Sequence, residues 1–139
     1  MNISITIIDR HFTDGDNEPE SGKLQTVGTL EKEEDYYIVK YTETVDTIND
    51  CETSLKIEKN RITMMRSGKY RTGMIFENGK RHICHYETPQ GGIFVGIYTN
   101  AMLIDFDEEG GLLQFAYTID CNGDLVNENE LKIIVEVKD

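Results

Sequence analysis

The sequence predicts a single all-β domain, an antiparallel meander of about ten strands that closes into a barrel. Three observations carry this. Apolar residues recur at every second position in segment after segment. No stretch of ten residues keeps a 3.6-residue apolar period. Successive segments are joined by short turn signals, the connection that antiparallel neighbours use.

The alternation defines the elements in order. Ile3, Ile5 and Ile7 alternate with Asn2, Ser4 and Thr6. Leu24, Thr26, Gly28 and Leu30 alternate with Lys23, Gln25, Val27 and Thr29. Tyr37, Val39 and Tyr41 follow, and Leu131, Ile133, Val135 and Val137 close the chain. Strands are expected near 2–9, 23–31, 36–44, 51–58, 61–67, 71–77, 80–87, 92–99, 102–107, 111–119 and 130–138, with 92–107 open to being one long bent strand. Asn78-Gly79 is the strongest hairpin signal, because a type I′ turn needs positive φ at both central residues. Lys59-Asn60, Gly110-Gly111 and Asn122-Gly123 mark further turns. The connection from Arg10 to Gly22 carries Asp14, Asp16, Glu18 and Glu20 and reads as a long mobile loop. A sequential meander favours a barrel over a sandwich, since closure removes exposed edges.

Composition narrows the function classes. The chain has 139 residues, enough for a core without metal or disulfide staples. Its 26 acidic residues against 14 basic ones give a formal charge of -12. Nucleic acids and anionic membranes call for a basic patch, and none is visible, so neither is expected as a partner. No apolar run reaches membrane-span length, and Met1 to Arg10 lacks the features of a signal peptide. Cys51, Cys84 and Cys121 are odd in number and far apart, which fits reduced thiols in a cytoplasm better than a disulfide framework.

The order of motifs resembles a known family. Tyr41-Thr42-Glu43 is followed by Glu52-Thr53-Ser54-Leu55-Lys56-Ile57 and by Arg66-Ser67-Gly68. Met74-Ile75-Phe76 comes next, then Tyr86-Glu87-Thr88-Pro89-x-Gly91, Ile97-Tyr98-Thr99 and Phe115-Ala116-Tyr117. This run is similar to the YwiB-like family of small bacterial proteins, a domain of unknown function, over nearly the whole chain. The resemblance implies a lipocalin-like (calycin-type) β-barrel and a cytoplasmic bacterial protein. It implies no particular reaction.

Hairpin register assigns faces, because side chains alternate strictly along a strand. With Lys59-Asn60 as the turn, Ile57 pairs with Ile62, Leu55 with Met64 and Thr53 with Arg66, so Arg66 points inward. With Asn78-Gly79 as the turn, Met74 pairs with Ile83 and Thr72 with His85, so His85 points inward too. Tyr37, Val39 and Tyr41 put Glu43 inward. Glu43, Arg66 and His85 lie near the ends of the third, fifth and seventh strands, which run the same way. They are therefore expected at one rim, with Thr53 and Thr72 between them and Tyr41 one layer deeper. The turn at 88–92 is expected to close over that rim.

Two readings of the rim stand side by side. In one, Arg66 clamps the carboxylate or phosphate of a small acidic or amphipathic ligand, with Glu43, Tyr41, Thr53, Thr72 and His85 around it. In the other, Arg66 is simply paired with Glu43 and capped by Thr53, because a buried charge needs a partner. A third possibility is a protein-interaction module or homodimer, suggested by apolar residues on nominally outer faces, among them Ile8, Val27, Ile38 and Ile134. No nucleophile with an orienting base is visible, so an enzyme is not expected. No cofactor is expected. His82-x-Cys84-His85 holds metal-ligand types, but alternation splits them between two faces. Asp120-x-Asn122-x-Asp124 begins like a calcium loop but has Leu125 and Leu131 where glycine and glutamate belong.

Overall fold

Strands whose apolar side chains all face one way bury that face only if the sheet curls and closes on itself. This chain closes by pairing its first strand with its last. The computed structural model describes residues 1–13, 20–44, 50–68 and 70–138. Within them the elements are β1 (Asn2–Thr13), β2 (Glu20–Lys32), β3 (Tyr37–Thr44), β4 (Asp50–Ile57), β5 (Arg61–Ser67), β6 (Thr72–Glu77), β7 (Arg81–Thr88), β8 (Gly91–Asp107), β9 (Gly110–Cys121) and β10 (Asp124–Val137). Each strand pairs antiparallel with its neighbour in sequence, and β1 pairs antiparallel with β10 to complete a closed barrel. The long β1–β10 ladder runs from Ile3 opposite Val137 to Thr13 opposite Asn127. Among the described residues no helix is long and apolar enough to cross a membrane.

The interior is filled by the alternating apolar positions. Ile3, Ile5, Leu30, Val39, Leu55, Ile62, Leu113 and Ile133 are all buried. At its centre Phe76 stacks against Phe115 and Tyr117, with ring centroids 4.5 and 4.7 Å away. Such tilted aromatic contacts add to the stabilisation from area burial.

Most strand expectations match, with differences at the ends and turns. Residues 92–107 form one strand, β8, bent by a register shift between Thr99 and Ala101. β1 and β2 pair as far as His11 opposite Glu20, so Arg10 and Gly22 lie in the ladder rather than in a loop. Asp14, Asp16 and Glu18 of the expected loop lie outside the described residues. Gly110 and Gly111 begin β9 instead of forming the turn; at Gly110, φ is +101° and a Cβ would sit 2.3 Å from the Val135 carbonyl oxygen. Asn122 and Gly123 both have positive φ, 55° and 87°, as a type I′ turn requires.

The important correction concerns Asn78-Gly79. Only Gly79 has a positive φ, 76°, so the turn is not type I′. Lys80 N–H donates to the Glu77 carbonyl at 3.0 Å, and Gly79 N–H donates across to the Thr99 carbonyl of β8 at 2.7 Å. Tying the turn to β8 shifts the hairpin register by one residue, and Thr72 faces Tyr86 rather than His85. A one-residue shift exchanges the two faces of a strand. Cys84 and Tyr86 therefore point inward, while Ile83 and His85 lie on the outer wall.

This register makes a prediction. Phe76→Ala should cost about 3–5 kcal/mol of unfolding free energy by urea denaturation, the range for a buried phenylalanine. Ile83→Ala should cost less than about 0.5 kcal/mol, as an exposed position does, because Ile83 is 59% exposed. A cost at Ile83 typical of a buried isoleucine would restore the register expected from the turn sequence.

Candidate functional site

One arc of a polar ring is built by register alone. On the inner face Tyr41 lies opposite Thr53, Thr53 opposite Arg66, Arg66 opposite Thr72, and Thr72 opposite Tyr86. Glu43 lies one inward position further along β3, opposite Cys51. Five of the six site residues expected from sequence, Tyr41, Glu43, Thr53, Arg66 and Thr72, are thus brought together. His85 is not. It is exposed on the outer wall with its ring 5.1 Å from that of Phe94, and Tyr86 holds the inward place. The turn at 88–91 stands at the same end, stiffened by Thr88 Oγ1, which donates to the Gly91 carbonyl at 2.6 Å.

The second arc was not read from the sequence. β1 carries Asp9 and His11 on the same face as Ile5 and Ile7, and β10 carries Asn129 on the same face as Leu131 and Ile133. His11 Nδ1 is hydrogen-bonded to Asn129 Oδ1 at 2.5 Å, and its Nε2 lies 3.5 Å from Asp9 Oδ2. Asn129 is buried and donates through Nδ2 to Asn127 Oδ1 at 2.7 Å. Tyr117 on β9 lies opposite Asn129 on β10 and joins this arc from the next strand. Continuing the alternation of Ile3, Ile5 and Ile7 by two steps would have found Asp9 and His11.

Arg66 is the centre of the first arc. Its Nη2 donates to Glu43 Oε2 at 2.8 Å. Among the described residues its Nε is buried without a hydrogen-bond partner, and so is Thr53 Oγ1; the Cys51 thiol lies near the guanidinium and the Tyr41 hydroxyl near Thr53. Other arginines in this barrel use their guanidinium differently. Arg61 donates from both Nε and Nη2 to Glu58, and Arg81 does the same to Asp120. A buried donor left unpaired costs free energy, so the half-used fork of Arg66 is a notable departure. Burial opposes the Arg66 charge, but Glu43, Cys51 and Tyr41 outweigh it and hold its pKa above the ordinary value.

The phenols around it stay protonated. Tyr86 is pushed up to about 12, first by burial and then by Cys84, and it donates its hydroxyl proton to Met74 Sδ at 2.9 Å. Burial, then the Glu43 carboxylate, raises Tyr41 well above the phenol range. Burial, then Tyr86 and Asp9, does the same for Tyr117. The ring therefore offers hydroxyl and guanidinium donors. Asn129 holds His11 Nδ1, and Asp9 lies 3.5 Å from Nε2, which anchors the imidazole on this wall. Among the described residues no three His, Cys, Asp or Glu side chains are grouped to hold a metal ion. Asp120, the first residue of the calcium-like run, is engaged by Arg81 through both oxygens.

The raised phenols give a pH dependence with a definite sign. Below pH ~10 the folded and unfolded chains both keep these protons, and the barrel has its full stability. Above that the unfolded chain ionises while Tyr41, Tyr86 and Tyr117 do not, so stability falls with rising pH. The expected slope is about 1.4 kcal/mol per pH unit for each such tyrosine. Urea unfolding between pH 9 and 11.5, with tyrosinate absorbance followed in parallel, measures it; a flat profile would contradict the burial of these hydroxyls.

The chain was compared with known proteins. Residues 5–133 match the family model described as "Domain of unknown function (DUF1934)". No curated protein matches the chain. Among solved structures, the crystal structure of the ywiB protein from Bacillus subtilis superposes with a TM-score of 0.75 at 18% identity, covering 99% of this chain and 94% of that one. That likeness confirms the closed β-barrel and agrees with the YwiB-like motif order. With the family match spanning nearly the whole chain, the protein belongs to the DUF1934 family.

Proposed function

We propose that this barrel binds a small molecule bearing one carboxylate or phosphate group at its polar end, without chemistry, and that Arg66 is the anion anchor. The observation that supports this most is that, among the described residues, the buried Arg66 Nε and the facing Thr53 Oγ1 have no hydrogen-bond partner. Both sit on the inner face, directly opposite each other across β4 and β5. Glu43 accepts one N–H of Nη2 and leaves the Nε–H beside it for a ligand oxygen. Tyr41 and Tyr117 supply neutral hydroxyls, and these two rings with that of Tyr86 supply apolar surface, a mixture typical of small-ligand sites. Thr72 lies between Arg66 and Tyr86 on the same wall. The net charge of -12 repels polyanions, so the ligand carries its anionic group on an otherwise neutral body.

Native mass spectrometry of protein purified gently from a bacterial host tests the proposal, combined with thermal shift in millimolar acetate and inorganic phosphate. The expected result is a mass adduct lost on denaturation, or stabilisation by one of these anions, in the wild type. Arg66→Met should lose either signal while keeping its far-UV spectrum. A wild type that is bare and unmoved by both anions would contradict the proposal. So would an Arg66→Met variant that behaves as wild type.

A further inference from the structure

We propose that the second half of β8, Met102–Asp107, is a docking edge to which an extended peptide of alternating apolar and basic residues adds as one more strand. The barrel closes without pairing every strand over its whole length. β7 pairs with β8 only from Thr88 opposite Gly91 to Arg81 opposite Tyr98. The turn before β7 then holds Thr99: Gly79 N–H donates to its carbonyl, and its own N–H donates to the Lys80 carbonyl at 3.3 Å. Beyond that point, among the described residues, β8 pairs with β9 alone. In an antiparallel ladder every second residue turns its N–H and C=O away from the partner strand, so this stretch presents a row of unpaired backbone groups. At about 3.3 Å per residue the row is about 20 Å long, enough to pair with a short extended peptide.

A groove runs along this edge. It consists of two depressions, about 590 and 250 Å³ in volume, that meet at Lys59 and Ile104. Asn60 and Asn78 also line the first, and the second reaches Tyr37, whose ring packs 5.3 Å from that of Phe106. The groove borders the Lys59-Asn60 turn before β5, whereas Arg66 lies near the other end of that strand. This site is therefore separate from the anion anchor and does not depend on it.

The two faces of the edge select the peptide. Met102, Ile104 and Phe106 are half-buried against the core and line the groove. Apolar side chains on one face of an added strand would lie beside them. The other face of the edge carries Leu103, Asp105 and Asp107, all exposed. Among the described residues neither aspartate is in an ion pair, and Asp107 Oδ1 accepts only the Glu109 N–H, at 2.8 Å. Opposite charges across a ladder attract, so basic side chains belong on that face of the peptide. The groove walls do not offset this, since Lys59 and Lys80 stand against Asp35, Glu58 and Glu77. The formal charge of -12 favours a basic partner at longer range as well.

Calorimetric titration of the intact chain with the capped peptide KVKVKVK tests this, with NMR amide hydrogen exchange to locate the contact. The expected dissociation constant is roughly 10–100 µM, with exchange slowed within Met102–Asp107. The peptide EVEVEVE should bind roughly tenfold more weakly or worse. KVKVKVK N-methylated at every backbone amide keeps its charge and side chains but cannot donate to a ladder, and should lose roughly tenfold or more. The double variant Asp105→Lys, Asp107→Lys should show the same loss with an unchanged far-UV spectrum. Absence of binding by KVKVKVK would overturn the proposal. So would an N-methylated or acidic peptide that binds equally well, or a double variant that binds like the wild type. Exchange slowed instead at Glu20–Val27 of β2, which among the described residues pairs with β1 alone, would overturn it too.

Discussion

The ladder between β1 and β10 is the constraint on which the rest depends. Without it the alternating isoleucines of β1 and the valines of β10 would form two free edges, open to water and to other chains. With it, the inward positions of ten strands become part of one interior, and sequence parity separates inside from outside except where the β8 bulge between Thr99 and Ala101 exchanges the faces. Ile3, Ile5 and Ile7 on one strand and Ile133 and Val135 on the other are the residues that make that closure favourable. The same parity that buries them also carries polar residues inward where the apolar run ends.

That is how the polar ring arises. Asp9 and His11 extend the Ile5–Ile7 face of β1, Asn129 extends the Leu131–Ile133 face of β10, and Arg66 extends the Ile62–Met64 face of β5. At this end the barrel exchanges apolar packing for hydrogen bonds, and most of the ring is satisfied internally. His11, Asn129 and Asn127 form a connected chain, and Glu43 holds Arg66. Among the described residues the exceptions are Arg66 Nε and Thr53 Oγ1, which lie opposite each other, and Thr99 Oγ1, opposite Tyr117. Two adjacent unpaired buried groups on one inner wall suit a ligand better than a purely structural ion pair, in which each donor would be expected to find a partner.

How much of this was legible depended on what sets each register. The β4–β5 hairpin is set by its own turn: Glu58 N–H donates to the Arg61 carbonyl, and the pairings Ile57–Ile62, Leu55–Met64 and Thr53–Arg66 follow as the residues suggest. The position of Arg66 was therefore readable. The β6–β7 hairpin is set by β8, through the Gly79 and Lys80 bonds to Thr99, and nothing local to Asn78-Gly79 reveals that bond. His85 was misplaced for that reason, and Tyr86 was missed with it. Asp9, His11 and Asn129 were missed for another reason. Polar residues ended the visible apolar pattern before the strands themselves ended, and only the ladder partners show that pairing continues to Thr13 and Asn127.

The central claim is that Arg66 keeps its Nε–H for an anion, and the Nε–Hε resonance in 1H–15N NMR reports this directly. Arg61 and Arg81, whose Nε groups are already bonded to Glu58 and Asp120, serve as internal references. The account predicts that titration with inorganic phosphate or acetate shifts the Arg66 Nε–Hε signal and leaves those of Arg61 and Arg81 in place. An Arg66 signal that stays fixed while either reference moves, or three signals that move together, would contradict it.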